Sequence, residues 1–428
     1  MKIGVLGGGL AGVSLAYFLQ KKGFDVEVLE KEDECGGLCK SFSKDGFSFD
    51  LGGHIIFSKD KEILDLMVRM LGDNAKKHYR NNKVWFKQRF VKYPFENGLS
   101  VLDKEDIFEC LYHFINNDFP KPKNLKQWCY YTFGKGIAEK YLIPYNEKIW
   151  NIGPGKIGLD WVERIPKPPV ADIIKSAIGI ETEGYTHQLY FYYPKSGGIQ
   201  ALVKAFENKL LKVTRNFEVK SLIKGKSSWK VSNGRTEKTY DKIISCMPIF
   251  DLVAALEKVP KKIKDIVGNK LRYNSLSTVL LGIDKPKLSN KFAVYIPQKD
   301  LLFHRICFHS YMGQWYTPAE KSSVVSEITT NPGDGVHEMT DAELVGHVSE
   351  GLDREGLIDK ELVCASDVKR SKYAYVLYDL SYRKDMKVVK EYFRSIGMPL
   401  CGRFAQFEYL NMDAVIRNSY DMAKKARS

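Results

Sequence analysis

The chain has 428 residues, of which 44% are apolar and 28% are charged, and this composition excludes an intrinsically disordered protein. At this length a hydrophobic core needs no disulfide framework, and the eight cysteines show no zinc-ligand spacing. A net charge of +14 favours an anionic partner, such as a phosphorylated substrate, a nucleic acid or a membrane surface, without choosing among them. No apolar run reaches the roughly 18 residues that a membrane-spanning helix needs. We therefore expect a reduced, cytoplasmic protein with no membrane insertion and no metal site.

The N-terminal segment has a strand–helix–strand pattern. Residues 2–6 predict a short apolar strand, residues 13–22 predict a helix, and residues 26–29 predict a second strand. A GxGxxG pattern lies between the first strand and the helix. In this context the glycine pattern is typical of a dinucleotide-binding site.

Each glycine of the pattern has its own physical reason. Gly7 allows a tight turn, Gly9 lets a pyrophosphate approach the backbone, and Gly12 allows close packing of helix on strand. The start of the helix offers free N–H groups and the positive end of the helix dipole. Glu30, at the end of the second strand, can accept hydrogen bonds from a ribose.

Two further glycine-rich segments favour FAD over NAD. Gly36-Gly37 follows the acidic residue, and DLGGHIIFS carries a second glycine pair before His54. Near the other end, CGRFAQFEYLNMDAVIRNSYDMAKKA joins a Gly-Arg pair to a predicted helix. These segments resemble the FAD-binding superfamily of amine oxidases, protoporphyrinogen oxidases and UDP-galactopyranose mutases. The resemblance implies a cofactor site built from Gly7, Gly9, Gly12, Glu30, Gly36, Gly37, Gly53, His54, Gly402, Arg403, Asn411 and Met412.

The middle of the chain resembles UDP-galactopyranose mutases more specifically. The matching segments, in order, are DLGGHIIFSKD, VKYPFENGLSVL, FGKGIAEKYLIPYNEKIW, DWVERIP and FHRICFHSY. Phe57 and Tyr93-Pro94-Phe95 are similar to the eukaryotic branch of that family. The resemblance runs from residue 1 to about residue 425, although residues 210–240 and 255–300 match poorly.

The resemblance implies a flavin-dependent isomerase that interconverts the pyranose and furanose forms of a nucleoside-diphosphate hexose. The substrate would be UDP-galactose or a sugar on another nucleotide, and galactofuranose would serve cell-surface glycan biosynthesis. In this family N5 of the flavin acts as a covalent catalyst, so the FAD must be reduced although no net oxidation occurs. The electrons would come from NAD(P)H or from a reductase.

The family's site residues carry over one by one. The catalytic positions of the family match His54, Arg164, Arg305 and Arg403. The arginines suit a diphosphate because their charged guanidinium donates paired hydrogen bonds. A neutral imidazole at His54 could take up or orient a proton. The expected substrate-binding residues are Tyr93, Glu96, Trp150, Arg164, Arg305, Tyr311, Tyr375 and Tyr409. Tyr378 is an alternative to Tyr375, and Trp150 is equally compatible with core packing.

Glu96 departs from the family, in which the eukaryotic-like enzymes carry a uracil-reading glutamine. A glutamine offers a donor and an acceptor, whereas an ionised glutamate offers acceptors only. Two explanations remain open. Glu96 faces solvent and uridine binds in another way, or the nucleotide is not a uridine nucleotide.

The predicted fold class is α/β, with a Rossmann-like FAD-binding domain, an inserted helical domain and an antiparallel β-sheet substrate domain. The predicted limits are 1–77, 190–262 and 383–428 for the FAD-binding domain, 98–189 for the helical domain, and 78–97 and 263–382 for the sheet domain.

Two other functions compete with the mutase. An amine oxidase or protoporphyrinogen oxidase-like oxidoreductase shares the superfamily, but it does not need three phosphate-gripping arginines. A nucleic-acid binder would use the basic surplus, yet the basic residues are scattered and form no known binding module, so we expect no nucleic-acid partner. Homo-oligomerisation is compatible with the sequence, which does not decide it.

Overall fold

The computed structural model describes residues 1–183 and 189–426. Its strands are β1 Lys2–Leu6, β2 Asp25–Leu29, β3 Ser41–Lys44, β4 Phe47–Asp50, β5 Ala75–Tyr79, β6 Lys83–Phe86, β7 Arg89–Lys92, β8 Tyr190–Pro194, β9 Val213–Thr214, β10 Ser221–Lys224, β11 Trp229–Ser232, β12 Glu237–Tyr240, β13 Lys242–Ser245, β14 Arg272–Ile283, β15 Ala293–Tyr295, β16 Arg305–Phe308, β17 Ser322–Thr330 and β18 Val363–Leu377.

Its helices are α1 Leu10–Lys21, α2 Lys61–Leu71, α3 Lys104–Ile115, α4 Leu125–Ile137, α5 Ile143–Trp150, α6 Val170–Ala177, α7 Gln200–Glu207, α8 Ile249–Ala255, α9 Lys261–Asp265, α10 Asp341–Arg354, α11 Tyr382–Ser395 and α12 Met412–Lys425. A π-helical segment, Ala138–Leu142, joins α4 to α5. Within the described residues, no helix combines the length and apolar character that crossing a membrane requires.

A four-stranded sheet in the order β13-β1-β2-β9 forms the Rossmann-like part of the fold, and all its neighbouring strands are parallel. Gly12 lets α1 lie directly on the turn after β1, because a Cβ atom there would come within 1.9 Å of the Gly7 carbonyl oxygen. Gly7 itself has a φ of 103°, a left-handed conformation that favours glycine. The predicted strand–helix–strand unit is therefore confirmed.

A seven-stranded sheet in the order β18-β14-β17-β16-β15-β6-β7 forms the second large layer. All its neighbouring strands are antiparallel except β15 and β6, which are parallel. The expected antiparallel sheet is thus a mixed one. The reason is topological, because β6 and β15 are joined by a very long connection, which leaves their relative direction free, whereas a short hairpin forces antiparallel pairing.

The helical part of the chain packs beside these sheets. Helices α3 and α4 pack against each other, and α5 ends at Trp150 beneath the seven-stranded sheet. Helix α10 covers the opposite face of that sheet, where Leu344, Val348 and Leu352 join its core. These groups of elements follow the expected order along the chain, and the domain limits themselves stay a prediction.

Candidate functional site

The glycine loop after β1 leaves backbone donors free for a ligand. Helix α1 begins after Gly9 with no side-chain cap, so the N–H groups of its first turn keep no side-chain acceptor. Gly9 faces Gly37, on which a Cβ would lie 3.1 Å from the Gly9 Cα. Glu30 accepts hydrogen bonds from the N–H of Gly8 at 2.6 Å and from that of Glu32 at 2.9 Å. This arrangement suits a dinucleotide phosphate with an acidic residue beside it.

The C-terminal segment completes the same side of the site. Gly402 has a φ of 105° and lies against α1, because a Cβ there would come within 2.6 Å of the Ala11 Cβ. Helix α12 begins after Asn411, whose side chain makes no capping hydrogen bond. The Ser14 hydroxyl donates to the Ser419 hydroxyl at 3.0 Å and ties the two helices together. The two glycine-containing ends of the chain therefore meet, as the resemblance implied.

Cross-strand pairing places three polar residues in one row of the seven-stranded sheet. Tyr295 pairs with Arg305, and Arg305 pairs with Glu327. The Arg305 guanidinium donates from Nε and Nη2 to the two carboxylate oxygens of Glu327, at 2.8 and 2.7 Å. Glu327 also accepts from the Gly53 N–H at 2.8 Å and lies 3.4 Å from the Tyr375 hydroxyl. One carboxylate thus joins the glycine pair before His54 to an arginine and a tyrosine of the expected substrate site.

Glu327 is ionised although it is fully buried. Burial alone would raise its pKa, but the adjacent Arg305 outweighs burial and lowers the pKa to about 2. The sequence analysis missed this residue. Its only signal was an acidic residue within the apolar strand SSVVSEITT, since the partner that makes it important comes from another strand.

Arg403 is a half-buried cation with unused hydrogen-bond donors. Its guanidinium lies over the ring of Tyr409 at 3.9 Å and near that of Tyr375 at 5.6 Å. These two rings are nearly parallel, with centroids 6.0 Å apart. The Nε and Nη2 atoms of Arg403 are buried and have no hydrogen-bond partner. Buried donors normally have acceptors, so this group is suited to an anionic ligand.

Arg164 approaches the same tyrosine from the short helical turn Leu159–Arg164. Its Nη2 donates to the backbone carbonyl of Tyr409, and its guanidinium lies 4.7 Å from that ring. The structure therefore brings Arg164 and Arg403 together around Tyr409, with Arg305 linked to them through Glu327 and Tyr375.

His54 lies at the other edge of this cluster. It follows Gly53, which lies close to the Arg305 guanidinium. A Cβ atom added to Gly53 would be 3.4 Å from the Arg305 Cζ. The Nδ1 atom of His54 is buried without a hydrogen-bond partner. Burial lowers the pKa of the imidazole below its ordinary value although the carboxylates of Asp50 and Glu327 act in the opposite direction, so the ring is neutral near pH 7.

Trp150 is almost fully enclosed, with 1% of its surface exposed. Its indole N–H donates to the Asn146 side-chain oxygen at 3.1 Å. Trp161, which the sequence analysis did not select, lies edge-on to Trp150 at 4.6 Å and to Tyr409 at 4.8 Å. The ring of Trp161 therefore lies between Trp150 and Tyr409. Trp150 also packs near Tyr375, with 6.1 Å between the ring centroids.

Tyr93 and Tyr311 differ in what they contact. The ring of Tyr93 lies 4.6 Å from Tyr295, the neighbour of Arg305 in the sheet row. The Tyr311 hydroxyl donates to the backbone carbonyl of Tyr79 at 2.6 Å, and its ring packs near Phe292. None of these Tyr311 contacts joins it to the arginines.

Glu96 lies in a short helical turn, Phe95–Asn97, with 1% of its surface exposed. The explanation that it faces solvent is therefore wrong. Burial raises the pKa of the Glu96 carboxyl to about 8. A carboxyl that is mostly neutral at pH 7 offers one donor and one acceptor, as a glutamine amide does. The main sequence argument against a uridine nucleotide is removed by this burial.

The described residues contain no group of three or more His, Cys, Asp or Glu side chains that could hold a metal ion.

Parts of the chain are similar in sequence to known proteins. Residues 5–70 match the family model of an NAD(P)-binding Rossmann-like domain. An uncharacterized protein in the nifH2 3' region of Methanothermococcus thermolithotrophicus is 54% identical over 56 residues, which are 13% of this chain and 54% of that relative. A 4,4'-diapolycopene oxygenase of Methylomonas sp is 46% identical over 99 residues, or 23% of this chain and 19% of the relative. The chain thus spans about half or less of these curated relatives.

Solved structures match over nearly the whole chain. Reduced UDP-galactopyranose mutase has a TM-score of 0.91 at 24% identity, covering 99% of this chain and 94% of the other. A putative protoporphyrinogen oxidase from Exiguobacterium sp. has a TM-score of 0.77 at 13% identity, covering 99% and 98%. A putrescine oxidase bound to putrescine has a TM-score of 0.69 at 13% identity, with the same coverage. The chain therefore has the fold that these structures share, and its N-terminal segment matches a Rossmann-like dinucleotide-binding domain.

Proposed function

We propose that this protein is an FAD-dependent mutase that interconverts the pyranose and furanose forms of a nucleoside-diphosphate hexose of the UDP-galactose type. The observation that carries the proposal is Arg403, whose buried donors have no partner beside Tyr409. Arg164 bonds to the same tyrosine, and the Arg305–Glu327 pair is linked to the cluster through Tyr375. Paired arginines are suited to a substrate diphosphate, whereas the amine substrate of an amine oxidase carries none.

The residues present fit FAD. The uncapped start of α1 and the facing glycines Gly9 and Gly37 suit its pyrophosphate, and Glu30 suits a ribose. The uncapped start of α12 and the unpartnered Nδ1 of His54 offer polar groups for its ring system. Bound FAD, once reduced, would supply a nucleophilic ring nitrogen for covalent catalysis.

The protein's own groups then have separable tasks. Arg164 and Arg403 would bind the diphosphate and stabilise its charge as it leaves the sugar and returns to it. Glu327 holds Arg305 in a fixed orientation through two hydrogen bonds. Trp161, Tyr375 and Tyr409 form an aromatic wall that limits water beside these groups. The neutral imidazole of His54 can accept or hold a proton at Nδ1.

The direct test compares oxidised and dithionite-reduced enzyme with UDP-galactopyranose and with UDP-galactofuranose, followed by chromatography. We expect interconversion by the reduced enzyme only. Absence of conversion in both redox states would reject the UDP-galactose assignment. Oxygen-dependent turnover of an amine or a porphyrinogen would instead favour the oxidoreductase alternative. An electron supply from NAD(P)H or a reductase, a cytoplasmic location and a role in glycan synthesis belong to the same proposal.

Glu96 gives a prediction about pH. If its neutral carboxyl contacts the base, the affinity for UDP falls as the pH rises through about 8, because the carboxylate loses its donor. Between pH 7 and pH 9 the neutral fraction falls about tenfold. Equilibrium dialysis should therefore show about tenfold weaker UDP binding at pH 9 for the wild type, while Glu96→Gln stays flat. The same pH dependence in both proteins would contradict a base-contacting role.

A further inference from the structure

Two cysteines from distant parts of the chain meet beside the dinucleotide site. The Cys401 N–H donates to the Ser245 carbonyl at 2.9 Å, and the Ser245 N–H donates to the Pro399 carbonyl at 3.0 Å. This parallel bridge pairs Ser245 with Leu400. Cys246 and Cys401 each lie one residue beyond this bridge. Parallel neighbours lie about 4.8 Å apart, within the Cα separation of roughly 4.4–6.8 Å that a disulfide needs.

The two side chains also interact. A hydrogen bond between the thiols lowers the pKa of Cys401 and raises the pKa of Cys246. The Ser419 hydroxyl lies 3.5 Å from the Cys401 Sγ and supports the same thiol. Cys401 belongs to the core between the first and last helices and Cys246 packs against that core, so the two thiols are in position to react with each other.

Other buried thiols lack this activation. Burial raises the pKa of Cys39, Cys110, Cys129 and Cys307 to about 12, so these groups stay protonated and inert. Cys246 is only partly buried, whereas Cys401 is fully buried. A reagent as small as hydrogen peroxide can therefore approach the pair from the side of Cys246.

We propose that Cys246 and Cys401 form a reversible disulfide site, an inference that does not depend on the mutase assignment. A peroxide oxidises one thiol of the pair to a sulfenic acid and releases water. The other thiol then attacks that sulfur and a second water leaves, so two thiols and one peroxide give one disulfide and two waters. A dithiol reductant reverses the step.

The location gives the bond a consequence for the cofactor site. Cys401 directly precedes Gly402 and Arg403, and the Cys246 backbone lies 3.3 Å from the position of a Cβ on Gly7. A disulfide would link the C-terminal segment to the turn that carries the glycine loop. We therefore expect FAD to dissociate more slowly from the oxidised protein, and dithiothreitol to restore the faster rate.

The test uses the full-length, FAD-loaded protein, reduced, desalted and then treated with hydrogen peroxide. Thiol titration in denaturant should fall from the eight cysteines of the chain to six. Peptide mapping should find residues 246 and 401 linked, with the loss of two hydrogens. Cys364→Ser, which removes an exposed cysteine, should leave the link intact, while Cys401→Ala should abolish it.

Mapping of the wild type decides the proposal even if a variant fails to fold. Recovery of both cysteines unlinked after peroxide treatment would overturn it, as would a link between either of them and another cysteine. A mapped link with unchanged FAD dissociation would overturn the expected effect on the cofactor site.

Discussion

Glu327→Ala is expected to lower the free energy of unfolding by about 3 kcal/mol, the lower end of the cost of breaking a buried ion pair. The change leaves Arg305 without its bidentate partner and the Gly53 N–H without its acceptor. The lower end applies because 21% of the Arg305 side chain is exposed and can recover some hydration. Urea unfolding of the wild type and the variant, monitored by circular dichroism, measures the difference.

Glu327→Gln is the matched control, because it keeps the shape and an acceptor while removing the charge. The carboxyl has a pKa of about 2 in the folded protein against an ordinary value of 4.5. Its contribution to stability is therefore complete above about pH 4.5 and is lost as the pH falls towards 2. The Gln variant should lack this acid-dependent loss. A Glu327→Ala protein as stable as the wild type would contradict the structural role of the pair.

Arg403→Met is expected to separate binding from stability. Removing a cation that holds the diphosphate should lower turnover of the nucleotide sugar by about 10²–10³-fold, the cost of losing one such electrostatic donor. The same change removes two buried donors that have no partner in the protein. The ligand-free variant should therefore unfold at the same temperature as the wild type or higher, because unsatisfied buried donors are destabilising.

Steady-state assays of reduced enzyme and thermal unfolding of apoprotein test both halves. Arg394→Met is the matched control, since this arginine is exposed on α11 and lies outside the arginine cluster. Arg403→Lys should recover only part of the activity, because an ammonium keeps the charge without the planar fork. Wild-type turnover by Arg403→Met would remove the observation on which the proposed function rests.

The Rossmann-like part of the fold could be predicted because its signals are local. Gly7 and Gly12 lie five residues apart, between an apolar strand pattern and a helical pattern, and this local combination is typical of a strand followed closely by a helix. The meeting of both chain ends was predicted from the resemblance, not from any local pattern.

The remainder depends on strand register, which the sequence does not display. Arg305 was selected, but its partner Glu327 is set by the pairing of β16 with β17. The parallel contact of β6 with β15 joins segments that are far apart in the chain, so no hairpin rule applied. The burial of Glu96 likewise follows from tertiary packing. Burial keeps the carboxyl mostly protonated, so it has the hydrogen-bond donor that an ionised glutamate lacks.

The packing of α12 on α1 has a consequence for synthesis. Val13 and Leu15 in the first helix share one core with Val415 and Ile416 in the last. The ribosome makes the glycine loop before Leu10, yet the helix that packs on α1 spans Met412–Lys425 and emerges only after all the intervening residues have been made. The apolar surface of α1 that packs on α12 therefore stays exposed while the intervening chain is synthesised. The cofactor pocket can close only after α12 has been translated.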